Sequence, residues 1–130
     1  MEWAGYGMGS PIMKQVMFVE LGMGVDLHGQ NVTKAAVRAV RNAIERNSMP
    51  GMRTLVNGDT SQMKVRVHLA VPADADRLDL EQVRAVFPYG QVTFEVVPGG
   101  MLAPSGIFLA DKDDRNEMIY VVNAAVEVGI

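Results

Sequence analysis

Residues 22–29, Gly-Met-Gly-Val-Asp-Leu-His-Gly, hold the residue types best suited to chemistry. Asp26 and His28 are two positions apart, so in an extended stretch both side chains project to one side. Such a pair does one of two jobs. It supplies two ligands to a divalent metal such as zinc, or it works as an acid/base pair whose carboxylate fixes the imidazole tautomer. The plain alternative has Asp26 closing a turn and His28 bonded to backbone. Gly22, Gly24 and Gly29 permit positive φ and close approach of a ligand to the backbone. Asn31 is a good helix N-cap, and the N–H groups of the helix it opens offer a seat for an anion. Thr33 and Lys34 lie in the first turn of that helix. Asp26, His28 and Lys34 are therefore the candidate catalytic residues, and Asp26 and His28 the candidate metal ligands. Gly22, Gly24, Gly29, Asn31 and Thr33 are the candidate ligand-binding residues.

The rest of the inventory is thinner. There are two histidines, His28 and His68. His68 is a conceivable third ligand, but it stands beside Lys64 and Arg66, cations that repel a metal. A solvent-facing or interface histidine is expected there. Asp111, Asp113, Asp114 and Glu117 lack the spacing and the glycine of a calcium loop, so a solvated hairpin tip is expected. Ser48, Ser61 and Ser105 sit in no nucleophile elbow. Asn123 and Glu127 share one face of an apolar strand and need a partner there.

The elements that must position these residues follow from periodicity. Residues 14–21 form an apolar strand, and residues 22–30 a glycine-broken loop. Residues 31–46 form the clearest helix, with Ala35, Ala39 and Ala43 one turn apart and Ala36, Val40 and Ile44 beside them. These small residues suggest close approach of the helix to a sheet, and Asn47, Pro50 and Gly51 stop it. Residues 52–63 read as a polar loop. Residues 64–71 alternate as a half-buried strand, and residues 79–87 form a short helix opened by Asp79 with Gln82. Strands are expected at 91–97, 106–110 and 118–128. The expected fold is α+β: a two-layer sandwich of two helices on one mixed or antiparallel sheet of four to five strands. Val122, Ala124 and Val126 point one way on the last strand, and Ile119, Val121 and Ala125 the other. Two apolar faces with so few helices predict a homo-oligomer, a trimer or larger. Residues 1–13 read as a flexible extension, and residues 14–130 as a single domain.

Composition bounds the function classes. The chain has 130 residues, no cysteine and a formal charge of −3. Disulfides, thiolate metal sites and a cysteine nucleophile are excluded, and a cytoplasmic setting is expected. No basic stripe points to nucleic acid. No apolar run approaches the ~20 residues of a membrane helix, and the N-terminus lacks the pattern of a signal peptide.

The octet GMGVDLHG, with VTKAAVRAV, NSMPG, LAVP, FPYG and the closing VVNAAVEVG, resembles a Lin-type family of conserved hypothetical proteins with a G-x-G-x-D-x-H-G signature, found in bacteria and plants. That resemblance covers about residues 14–130 and implies a site, not an activity. A local similarity to methylerythritol cyclodiphosphate synthase ends at His28. That enzyme is a trimer with sites between subunits, and the similarity implies Asp26 and His28 as ligands of a divalent metal. The expected function is a small-molecule enzyme with an inter-subunit site acting on an anionic metabolite. The alternatives are a non-catalytic binding or regulatory module using the same loop, and a hydrolase similar to the ring-opening amidohydrolases, whose Ser–Lys chemistry offers Lys34 but no serine in a matching context.

Overall fold

The chain runs through β1 (Val16–Asp26), α1 (Val32–Ile44), α2 (Pro50–Leu55), β2 (Lys64–Val71), α3 (Leu80–Arg84), β3 (Gln91–Pro98), β4 (Met101–Pro104) and β5 (Met118–Gly129). The computed structural model describes residues 12–130. The extension expected over residues 1–13 lies outside the described residues, apart from Ile12 and Met13. The fold is α+β, with a mixed five-stranded sheet in the order β1-β5-β2-β3. β5 is its axis. β1 runs antiparallel along one side of β5, while β2 and then β4 share the other. β3 lies parallel to β2, joined to it by the crossover that carries α3. β1, β2 and β3 thus point the same way and end together.

Helix α1 forms where the periodicity predicts. Asn31 caps it, its side chain accepting from the Lys34 N–H. Ala35, Ala36, Ala39, Val40 and Ala43 are fully buried. They join Met52 of α2, Val83 of α3 and the valines of β2, β3 and β5 in one core around Phe94 and Leu69.

Three sequence expectations are corrected. β1 does not stop at residue 21 but continues through Gly22 and Gly24 to Asp26. Neither glycine has positive φ. Their role is steric. A Cβ at Gly22 would lie 2.2 Å from the Ala39 carbonyl oxygen, and one at Gly24 would lie 2.2 Å from both the Ala35 oxygen and the Ala39 nitrogen. Helix backbone rests directly on strand backbone. Second, residues 50–55 are a third helix. Pro50 does not end structure here but opens it, since its fixed φ suits the first turn of a helix. Met52 anchors that turn in the core. Third, the short strand is residues 101–104, not 106–110. Gly100, at φ +65° and against the Val121 carbonyl, turns the chain at once onto β5.

The outer edge of β1 is covered by α1. Arg38 donates to the Val25 carbonyl, Asn42 accepts from the Met23 N–H, and Arg46 donates to the Leu21 carbonyl. These residues are four apart, so they descend the helix in step with alternate strand residues. An uncovered edge invites strand addition; here three of its backbone groups, at Leu21, Met23 and Val25, are taken by α1. The sheet face away from the core is different. Val19, Leu21 and Met23 are exposed on it. No helix among the described residues is long and apolar enough to cross a membrane.

Replacing Gly24 with alanine is expected to cost about 3 kcal/mol in urea unfolding, because an extra methyl must force backbones apart. Gly51→Ala in α2, where nothing lies within 4 Å, should cost nothing. Equal stability of the two variants would refute the packing argument.

Candidate functional site

Five residues separate the end of β1 from the start of α1, and buried carboxylates hold them. Asp26 is buried. Its Oδ2 accepts from the Asn31 N–H at 2.8 Å, and its Oδ1 lies 3.8 Å from the Arg38 guanidinium. The carboxylate thus sits at the positive end of α1, where a negative charge is stabilising. Gly29 has φ +99°, and a Cβ there would meet the Lys112 carbonyl at 3.1 Å. Gln30 follows at φ +47°, a conformation that costs a non-glycine residue on the order of 1 kcal/mol. Its side chain holds it there. The amide nitrogen donates to Asp114 and to the Met118 carbonyl, and the amide oxygen accepts from the Arg115 N–H.

Asp114 is the second carboxylate. Its expected place in a solvated hairpin tip is corrected: the side chain is buried. It accepts from the N–H groups of Gly29 (2.6 Å) and Leu109 (2.9 Å), from Gln30, and from Nδ1 of His28 (2.7 Å). Burial alone would raise its pKa. The donors from Leu109, Gly29, His28 and Gln30 outweigh burial and hold it well below the usual carboxylate range. An ionised Asp114 can only accept, so Nδ1 of His28 donates. In the neutral imidazole, Nε2 is then the nitrogen with the free lone pair. The His28 side chain is part-exposed. The carboxylate that orients His28 is therefore Asp114, 86 residues away, while Asp26 serves the helix.

A cleft of about 420 Å³ begins at Gly29, the residue after His28. It is walled by Gly29, Asn31, Val32, Thr33, Arg77, Arg115 and the acidic Asp79, with Gln30 and Gln82; His28 and Asp114 are not part of that wall. It opens where β1 and β2 end, the end of parallel strands at which α/β sheets bind ligands. Arg115 is fastened there by Asp74 (2.9 Å) and by the Gln30 carbonyl (3.0 Å). Tyr120 Oη donates to Asp74 as well. These two partners, Tyr120 first, lower the Asp74 pKa. The Thr33 hydroxyl is already engaged: it donates to the Arg77 carbonyl and accepts from the Asp79 N–H, tying α1 to α3. Lys34 is exposed and outside the cleft wall. Val32 and Thr33, whose N–H groups no carbonyl within the helix can take, line the wall.

A zinc site needs four ligands, three of them protein groups even in a catalytic centre. Among the described residues no three His, Asp or Glu side chains are grouped to hold a metal. Asp26 is committed to Asn31 and faces the cation of Arg38. The donor set around His28 does not fit a divalent ion. His68 stands apart on β2, between Glu127 and Glu95. Glu127, paired by sequence with Asn123, thus finds its partner on the sheet. Sequence reasoning passed over Gln30, Asp74, Arg77, Arg115 and Tyr120. The signal for Gln30 is its place directly after Gly29; Asp74, Arg77 and Arg115 are brought in by segments between strands, and Tyr120 by the start of β5.

The sequence model of a family described as "Conserved hypothetical protein (Lin0512_fam)" matches residues 16–128. The crystal structure of an FtsZ-like protein of unknown function from Nostoc punctiforme PCC 73102 is similar, with a TM-score of 0.80 and 36% identity, covering 91% of this chain and 97% of that one. No curated protein matches.

A carboxylate whose folded pKa lies below its unfolded value of about 4 stabilises the fold above that pH, and the contribution falls away as pH drops further. Asp114 is such a group. The chain is therefore expected to lose stability in urea between pH 5 and pH 3. Asp114→Asn should be less stable at pH 7 and show a shallower acid limb. An acid limb unchanged in Asp114→Asn would show that Asp114 does not carry it.

Proposed function

This chain belongs to the Lin0512 family of conserved hypothetical proteins, and from that premise we propose that it is an enzyme acting on a small anionic metabolite in the cleft at the start of α1. One observation carries the proposal. The Nδ1 of His28 is fixed by a buried carboxylate, and the cleft wall that begins at the next residue carries Arg77 and Arg115. In this reading His28, at the edge of the chain segment that enters the cleft wall, takes and returns a proton through Nε2, with Asp114 holding the tautomer. Arg77, Arg115 and the N–H groups of Val32 and Thr33 suit a carboxylate or phosphate. Asp26, Asn31 and Gly29 shape the loop that presents these groups.

A non-catalytic binding role is favoured by a different observation. The loop N–H groups of Gly29 and Asn31 are taken by the protein's own carboxylates, which leaves fewer donors to stabilise a transition state. Both roles require an anion in the cleft.

Among the described residues the helices lie on one side of the sheet, in keeping with a two-layer arrangement, and the exposed face of β1 suits self-association. Leu27, Ile107 and Phe108 are exposed next to His28 and Leu109 in the chain. A second copy seated on them would close the cleft from water, in keeping with an inter-subunit site.

Titration with inorganic phosphate or succinate, followed by amide chemical shifts, should move residues 29–33 first. Arg77→Met should weaken binding about tenfold, the ~1.4 kcal/mol expected of one charge-assisted hydrogen bond. Shifts confined to other regions, or none with either anion, would overturn the proposal. For the assembly, light scattering at micromolar concentration should give at least three times the 14.1 kDa chain mass; a monomer would rule out the inter-subunit site.

A further inference from the structure

At the other end of α1, away from the cleft, a second cavity of about 240 Å³ opens. It lies between the α1–α2 connection, the turn after α3, the start of β2 and the end of β5. Met49, Met63, Val65, Phe87, Tyr89 and Val126 supply its largely apolar wall. Glu20 is the one acidic or basic side chain in that wall.

Glu20 faces α1 from β1 and is only 8% exposed. The amide of Asn47 donates to its Oε2. Its Oε1 is buried and has no hydrogen-bond partner. No ion pair among the described residues includes Glu20. Burial raises its pKa, and the Asn47 hydrogen bond opposes that only in part. An unsatisfied buried acceptor is destabilising, more so when charged. An apolar residue at this strand position would avoid the cost, so a carboxylate here is not explained by stability. What the carboxylate lacks is a donor and a counter-charge.

We propose that this pocket binds a small apolar amine, whose ammonium group is received by Glu20 and whose apolar body fills the space between Met49, Met63, Phe87 and Tyr89. An ammonium supplies both missing terms at once: an N–H for the orphaned oxygen and a positive charge for a buried carboxylate. The aromatic faces of Phe87 and Tyr89 favour a cation near them. The site is separate from the cleft of His28 and does not depend on the function proposed for it.

The test uses three probes of one shape on the full chain: benzylamine, benzyl alcohol and toluene. Titrations followed by amide shifts should show benzylamine binding at Met49, Met63 and Tyr89, at least tenfold tighter than the two neutral probes. Glu20→Gln, which keeps size and shape, should abolish that preference while leaving toluene binding unchanged. Ser48→Trp, a substitution in the pocket wall at an exposed loop position, should block all three probes without touching Glu20. Benzylamine binding no tighter than benzyl alcohol, or an amine preference that survives Glu20→Gln, would overturn the proposal. So would shifts that leave the pocket residues unmoved.

Discussion

The contact on which the rest of the molecule depends is backbone against backbone. Gly22 and Gly24 of β1 meet the Ala35–Ala39–Ala43 stripe of α1 with no room for a methyl group between them. At that separation the helix cannot slide or rotate without collision, so its direction over the sheet is set. Two consequences follow from this one constraint. The side chains of Arg38, Asn42 and Arg46 come down on the outer edge of β1 and bond its backbone at Val25, Met23 and Leu21. The first turn of α1 is brought close above Asp26, which can then bond the Asn31 N–H. A helix held at the usual distance by larger side chains would do neither.

The candidate site is built on the same end of that helix by two buried carboxylates. Each has its side chain shielded from solvent, and each is met mainly by hydrogen-bond donors. Asp26 answers the helix N-terminus, and Asp114 gathers His28, Gly29, Gln30 and Leu109. Together they lock two loops that are distant in sequence. This explains how Gln30 stays at positive φ: its side chain and carbonyl meet Asp114, Met118 and Arg115. It also explains why Arg115 is held at the cleft wall instead of free in solvent. The electrostatics that fold the loops are the electrostatics that place the cations.

Much of the architecture was legible in the sequence, because it rests on local signals. Asn31 caps α1 as its residue type suggests. Asp79 and Gln82 open α3, and the alternation of residues 64–71 marks a strand with one face in the core. The failures share a cause. Pro50 and the glycines of β1 were given their commonest local meanings, a stop and a bend. Tertiary contact decided otherwise: Met52 needed a helical turn to reach the core, and Gly22 and Gly24 needed an extended strand to pass under α1. Asp114 was illegible for the same reason. A run of acidic residues looks solvated until the fold shows that one of them points inward at four donors.

The octet GMGVDLHG can now be divided by physical role. Gly22 and Gly24 are there for packing, Asp26 for the helix N-terminus, and Gly29 for a positive φ close to the Lys112 carbonyl. Those assignments need no ligand. His28 differs, because one of its nitrogens is spent on a buried carboxylate and the other is not required by any part of the fold. Its Nδ1 is one of four donors that Asp114 gathers. The same spacing that suggests a metal pair in an isolated motif therefore resolves into a scaffold residue and an oriented imidazole. Asp26 holds the loop at the helix N-terminus. His28 is held through Nδ1 by a carboxylate 86 residues away, which leaves Nε2 with the lone pair of the neutral ring.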